Sequence, residues 1–491
     1  MMRLVLLVLI FACSKIALSQ DPCAIIWDPP IQLSDSTYTA ILPRIALSGD
    51  DTIHVGWVED IGQIHRLPYM RSINGLWEPI RDLIVDTVQF PVRMFENRIV
   101  TDYDNVYVFG QRGQDPHNRN VMSKSTDRGT SWTTTYIATD TAAGLYSANA
   151  RQDTLVVHYM QTRNGYNVRP RLIYSTNGGA AWYERPDTFR PNSRTELSKG
   201  TLHLAENVIV NSPQGVAQEI VYRRSFDLGS TWRDVDTLSS VDGEFAYEMA
   251  MASGQLDSAQ GILLTWRDGI ACAAFIGCTI IGREGHTNGL DWRDPSVFTE
   301  IPRGTEPAVS IAPTGGAAIA WTDEITASTF HIVIRTRHGG DTSWCPIVDL
   351  TPFPRGGGQP SVVVSSKAIH VVWCEGFPDG SLRIIYRLGR FMDTRVGNDL
   401  PAVPPFAHLE QNYPNPFNPT TSIRFRIDTR EFVNLSVYDM VGREVAMLVR
   451  ETKNPGEYTA EWSASKMATG VYYYRLIAGG KIEIKKAILV R

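Results

Sequence analysis

Beyond its first dozen residues the chain has no long apolar run. No later stretch approaches the roughly 18 apolar residues that a membrane-spanning helix needs, so no transmembrane segment is expected in the mature protein. There is no basic block, and the formal net charge of −5 makes nucleic acid an unsuitable partner. No CxxC pair occurs, which excludes a zinc ribbon or a thioredoxin-like centre. The histidines form neither HExxH nor a ligand-spaced pair, and no serine nucleophile elbow is present. "RGGGQP" (355–360) lacks the Lys-Ser/Thr of a phosphate loop and reads as a turn between repeats. "TDYDN" (101–105) carries a carboxylate pair without the further oxygens that calcium needs. No cofactor and no metal are expected.

What is present is an ordinary globular composition, 43% apolar and 20% charged, long enough at 491 residues for two to four domains. Residues 1–19 read as a secretory signal peptide: one basic residue, an apolar run from Leu4 to Ala12, and small residues at Ala17 and Ser19. A lipoprotein signal ending at Cys13 is the alternative. An exported chain can oxidise its cysteines. Cys272 and Cys278 are close enough to bridge across a tight hairpin, whereas Cys23, Cys345 and Cys374 leave one thiol over and their pairing open.

A short turn recurs on a regular beat. "STDRGTSW" (125–132) returns as "STNGGAAW" (175–182) and "SFDLGSTW" (225–232). Looser copies are "SINGLW" (72–77), "GHTNGLDW" (285–292) and "HGGDTSW" (338–344). Each follows β-rich segments such as "IHVGWVED" (53–60), "ILLTWRD" (262–268) and "IHVVWCEG" (369–376), with no competing helical period. A unit therefore reads as three strands, a turn and a fourth strand. Four antiparallel strands repeated every 40–60 residues predict propeller blades.

The turn tryptophans are Trp77, Trp132, Trp182, Trp232, Trp292 and Trp344. The last repeat lacks its outer strand, and "IIWDPPIQLS" (25–34) resembles "LWEPIRDLI", so Trp27 supplies the missing member. The expectation is an all-β chain with a seven-bladed β-propeller over 24–392, closed by its own N-terminal strand, with Trp27 beside Ile384 and Tyr386. Six blades is the alternative, because the unit at 195–238 has a poorly formed second strand. Gly129, Gly179 and Gly229 supply left-handed backbone, and Ser125 and Asp127 can bond nearby N–H groups. Trp132 is expected flat against the strands of its own blade.

The pattern S-x-D-x-G-x-x-W resembles the Asp-box, or sialidase-type, repeat. Ser125, Asp127, Gly129 and Trp132 match it, as do Ser225, Asp227, Gly229 and Trp232; Ser175, Asn177, Gly179 and Trp182 carry Asn for Asp. The resemblance implies a structural turn away from the ligand face, which would be the opposite end of the central channel. In sialidases three arginines clamp a substrate carboxylate beside a Tyr–Glu pair and an acid/base residue. Arg44 in "LPRIALS" stands where the first arginine would be, followed by Ala46 rather than proline. Arg93, Arg267, Arg303 and Arg383 are further arginines, and Tyr222 and Tyr386 are candidate tyrosines without an identifiable glutamate.

Residues 393–408, with three prolines, read as a semi-rigid linker. Short alternating strands then fit a small immunoglobulin-like β-sandwich over 409–491. "NYPNPFNP" (412–419), "VYDMVGREV" (437–445), "ATGVYYYRL" (468–476) and Lys485–Lys486 closely resemble the C-terminal sorting domain of type IX secretion cargo in the Bacteroidetes and relatives. That resemblance implies the type IX machinery as a partner and a secreted or outer-membrane surface-attached protein. The sequence thus points to an exported module binding an extracellular glycan or protein, with a sialidase-like exo-glycosidase as the alternative.

Overall fold

The computed structural model describes residues 23–391 and 407–490 except residue 24 and short interruptions, the longest at 88–96, 113–118 and 270–277. The expected signal peptide, Arg93, Cys272 and most of the expected linker lie outside the described residues.

The chain folds as four-stranded antiparallel units. In the first, Thr39–Ser48, Thr52–Ile61 and Ile64–Ile73 pair in order, and an outer strand broken into Leu76–Trp77 and Arg81–Thr87 completes the sheet. The second strand of each unit is buried on both faces over at least half its length, because the blade is packed between two neighbours. Ile53, His54, Val55, Trp57 and Val58 are all buried, which is why such strands read as nearly continuous apolar runs. Outer strands such as Thr133–Tyr136 are exposed along their length.

The inner strands are Thr39–Ser48, Arg98–Asp102, Ala142–Arg151, Arg194–Ser198, Phe245–Leu256, Gly304–Ile311 and Gly357–Val364. Each contacts the next, and the last contacts the first. The fold is a β-propeller, with seven such units among the described residues; they are called blades one to seven below. The second strand of blade four, Thr201–Ser212, is fully formed, and one parallel pair, Gln218 with Phe245, joins blades four and five. The segment 355–360, expected to be a turn, instead opens the inner strand of blade seven, which runs Gly357–Val364.

Blade seven is completed by the N-terminal strands Ile25–Trp27 and Ile31–Gln32, which pair with Leu382–Phe391. The register differs from the expectation. Trp27 lies opposite Gly389, and it is Ile31 that faces Tyr386. Pro29 and Pro30 separate the two short strands, as prolines that cannot donate to a ladder do. Gly389 is required there, since a Cβ would come within 2.8 Å of the Trp27 ring. A disulfide joins Cys23 to Cys345 of blade six and leaves Cys374 as a buried free thiol. Cys278 is disulfide-bonded as well.

The turn tryptophans lie between their own blade and the preceding one, not on their own blade alone. Trp132 meets Tyr69 of the preceding blade edge-on, Trp77 meets Tyr386, and Trp292 meets Tyr222. Each is a wedge between two blades.

The C-terminal unit is a sandwich. Ala407–Leu409, Thr420–Ile427 and Gly456–Ser463 form one sheet; Glu444–Lys453, Glu431–Tyr438, Gly470–Ala478 and Lys481–Leu489 form the other. Trp462, Tyr474, Phe425 and Leu435 fill the core between them. The "NYPNPFNP" segment is fastened by its asparagines. Asn412 Nδ2 donates to Pro414 O and Thr421 Oγ1, and Asn415 donates to Lys486 O while accepting from Ile488 N–H. Phe417 inserts between the sheets against Trp462.

Candidate functional site

The repeated turns and the channel lie at opposite ends of the blades. In Ser125–Trp132, Ser125 Oγ donates to Asp127 Oδ1 at 2.7 Å and accepts the Gly129 N–H at 2.7 Å. Asp127 Oδ1 accepts the N–H groups of Thr130 and Ser131, and Oδ2 takes the Ser131 hydroxyl. The Ser131 N–H, first among these bonds, holds the Asp127 carboxyl far below the usual range. Ser225, Asp227 and Gly229 repeat the arrangement, with Thr231 supplying both N–H and hydroxyl and Asp227 brought down to about 2. Asn177 has a single carbonyl oxygen, which accepts from Ser175 Oγ and the Ala181 N–H. Ala181 has no hydroxyl to place, so the amide and the alanine compensate one another.

A cation of the preceding blade braces four of these turns. Arg71 donates to Arg128 O, Lys124 to Gly178 O, Arg185 to Leu228 O and Arg224 to Asn288 O. With Trp77, Trp132, Trp182, Trp232, Trp292, Trp344 and Trp27 wedged between blades, this end of the molecule is taken up by inter-blade packing.

At the other end, the beginnings of the inner strands surround an axial cavity of about 410 Å³. Three arginines from three blades line it: Arg44, Arg98 and Arg194. Facing into the same space are Tyr146, Glu196, Glu248 and Glu306. Arg98 and Arg194 were not singled out by sequence, and Arg267, Arg303 and Arg383, which were, do not line it. Arg267 is buried against Glu248 at 3.2 Å, Arg303 donates to Glu324 O, and Arg383 pairs with Asp379. Tyr222 and Tyr386 bond to His203 and His370 in the blades, away from this lining.

The cavity wall is a closed circuit of hydrogen bonds, one at every junction. Asn97 Nδ2 donates to Leu42 O, Arg98 Nη2 to Tyr146 O, and Ser147 Oγ pairs with Thr195 Oγ1. Ser253 Oγ donates to Glu196 at 2.7 Å. The N–H of Glu306 then donates to Glu248, that of Gln359 to Glu306, and that of Leu42 to Gln359. Leu42, Glu248, Glu306 and Gln359 all adopt left-handed backbone, with φ between 52° and 58°, at a bulge in their strands. The bulge turns the backbone N–H sideways, where a side chain of the preceding blade can reach it. The only sequence signal was the residue-proline pair at 42–43, 306–307 and 359–360.

Electrostatically the cavity has two sides. Arg44, Arg98 and Arg194 stand on blades one, two and four; the glutamates stand on blades four, five and six. Each arginine has one terminal N–H on the carbonyl of its preceding residue, which fixes its direction: Pro43, Asn97 and Ser193. Burial pushes Glu196 up to about 7, although Ser253 donates to it twice. Among the described residues, no group of His, Cys, Asp and Glu is arranged to hold a metal ion.

Residues 411–491 match the family described as the secretion system C-terminal sorting domain. The chain carries a type IX sorting tail. The protein is therefore secreted or attached to the outer-membrane surface. No helix among the described residues is long and apolar enough to cross a membrane. No curated protein matches the chain. Among solved structures it is similar to a protein of unknown function from Dyadobacter fermentans, with 12% identity and a TM-score of 0.45 over 75% of this chain and 99% of that one. It is also similar to a PL25 ulvan lyase, at 10% identity and TM-score 0.49 over 72% and 95% of the two chains. Trypanosoma rangeli sialidase matches at 10% identity and TM-score 0.39 over 94% and 89%.

Proposed function

We propose that the exported propeller is a binding module whose axial cavity takes an acidic glycan at or beyond the cell surface. The observation that carries this reading is the convergence of Arg44, Arg98 and Arg194 on one cavity. Guanidinium groups are suited to carboxylate because they stay charged and offer paired donors in a fixed plane. The glutamate side offers acceptors for sugar hydroxyls. The opposite end of the blades is occupied by braced turns and wedged tryptophans, so the cavity end is the face open to a partner.

Titration calorimetry of the full chain against acidic and neutral oligosaccharides tests this. The acidic probe should bind and its neutral counterpart should not. Arg44→Ala should weaken binding by about tenfold or more, as the loss of a charged hydrogen bond does. Equal binding of both probes, or an unchanged Arg44→Ala, would remove the reading.

A second reading is a sialidase-like exo-glycosidase, favoured by Tyr146 and the near-neutral Glu196 in the same cavity as the arginines. A fluorogenic sialoside decides it: turnover lost in Arg44→Ala and in Glu196→Gln would establish hydrolysis.

A further inference from the structure

Glu196 differs from the other carboxylates of the cavity. Glu248 and Glu306 sit at left-handed bulges and each holds the backbone N–H of the next blade. Glu196 stands in regular strand two residues after Arg194, so the two side chains share one face. Its carboxyl reaches both neighbours: Asn149 Nδ2 of blade three donates to Oε2 at 3.2 Å, and Ser253 N–H and Oγ of blade five donate to Oε1 at 3.1 and 2.7 Å.

Arg44, Arg98, Tyr146 and Glu306 share the cavity with Glu196. Arg194 is on its own strand, Arg151 on Ala142–Arg151, His158 on Thr154–Arg163, His203 and Glu206 on Thr201–Ser212, and Glu248 on Phe245–Leu256. Glu206 is paired with Arg223 and Glu248 with Arg267. Burial brings both histidines down to about 3, so they stay neutral. Burial acts on Glu196 in the opposite sense, holding its carboxyl protonated up to about 7.

We propose that Glu196 is the charge switch of the axial site, admitting an anionic ligand in its protonated form and opposing it when ionised. The inference rests on the reading of the cavity as an acidic-glycan site. The proton removes one negative charge from the wall that also carries Glu248 and Glu306; its loss places a further negative charge facing the ligand's own. The near-neutral midpoint that burial gives this carboxyl puts the change within the physiological range. By linkage, bound anion must raise the Glu196 midpoint by the same factor that protonation raises affinity.

The test uses the full chain, with 3′-sialyllactose and trigalacturonate as acidic probes and lactose as the neutral control. Wild type should bind an acidic probe about fivefold or more tightly at pH 6 than at pH 8, with no such difference for lactose; about tenfold corresponds to one pH unit of linked shift. Glu196→Gln should bind at pH 8 as wild type does at pH 6 and lose the pH dependence. Carboxyl carbon NMR of the unliganded chain should give Glu196 a midpoint between about 6 and 8, and Ser253→Ala should raise it further by removing a donor to the ionised form. A midpoint below 5, or a pH dependence retained in Glu196→Gln, would overturn the switch. Binding at equal strength at both pH values sinks the switch alone. A near-neutral midpoint with no acidic probe bound at either pH sinks the acidic-ligand reading, and the switch with it.

Discussion

The ring of Tyr69 in blade one stands edge-on to that of Trp132 in blade two, with centroids 4.9 Å apart and planes inclined by 73°. Tyr69 is also the end of a buried chain: its hydroxyl bonds His54 Nδ1 at 2.7 Å, and His54 Nε2 bonds Ser48 Oγ at 2.7 Å. Blade four repeats the chain in Ser198, His203 and Tyr222, with Trp292 edge-on to the tyrosine. The turn that begins as a local hydrogen-bond motif thus ends as an inter-blade joint.

This joint leaves no room at its glycine. Gly129 has φ of +82°, and a Cβ there would lie 2.1 Å from Tyr69 Oη. Gly129→Ala should therefore lower unfolding free energy by at least about 1 kcal/mol, from backbone strain and the displaced tyrosine together. Tyr69→Phe should lose about 1–3 kcal/mol by leaving buried His54 Nδ1 without its partner. Urea denaturation measures both; a neutral Gly129→Ala would mean that the turn does not press on blade one.

The buried histidines set the acid limit of the fold. Burial foremost, with arginines nearby, brings His54, His158 and His203 down to about 3 and His370 to about 4. In the unfolded chain they take a proton near pH 6.5. The unfolded state thus binds more protons below that pH, and the stability they contribute is complete above it and lost as pH falls toward the folded values. Each contributes up to about 1.4 kcal/mol per pH unit in that window. The urea midpoint should fall between pH 7 and pH 5, and His54→Gln should reduce the slope by about one proton.

How much of this was readable beforehand differs between blade and cavity. The blades announce themselves because each strand and turn is a local pattern: Ser125, Asp127, Gly129 and Trp132 lie within eight residues. The tail is legible for the same reason, since Asn412, Asn415 and Phe417 act on strands of their own small sandwich. The cavity is assembled by ring closure from positions about fifty residues apart, none of which lies in the repeated turn motif. Arg98 and Arg194 become neighbours of Arg44 only through the circle. The register of Trp27 was missed because Pro29 and Pro30 interrupt the pairing, so alignment with the following apolar residues placed it too far along the partner strand.

The hydrogen-bond circuit around the cavity should behave as one object. Glu306 Oε2 accepts both the Gln359 N–H at 2.7 Å and Thr322 Oγ1 at 3.0 Å. Glu306→Ala orphans both donors and should cost about 2–3 kcal/mol, whereas Glu306→Gln, which keeps an acceptor oxygen, should lose less than about 1 kcal/mol. Amide exchange of Gln359 reports the local event directly: it should accelerate in Glu306→Ala and stay slow in Glu306→Gln. Equal exchange in both would show that the bulge is held by its backbone alone.

The ring closes on a weak seam. The N-terminal strands give blade seven only five paired residues, Ile25–Trp27 and Ile31–Gln32. Asp28 adds an ion pair to Arg390 at 2.9 Å, and Arg387 Nε donates to Asp28 O. Cys23–Cys345 is the one covalent tie across this seam, spanning 322 residues of chain. A bond closing so long a loop restricts the unfolded chain strongly, by about 6 kcal/mol at most on entropic grounds. Cys23→Ser should therefore lower the melting temperature and expose the peptide around Trp27 to protease under conditions that leave wild type intact. Reduction of wild type should reproduce the proteolytic effect. Cys374→Ser, which removes a thiol donating weakly to Ala40 O at 3.4 Å, should leave the N-terminal strand protected. If Cys23→Ser resists protease as well as wild type does, the five backbone pairs and the Asp28 contacts are sufficient to seal the ring, and the disulfide acts on the unfolded chain alone.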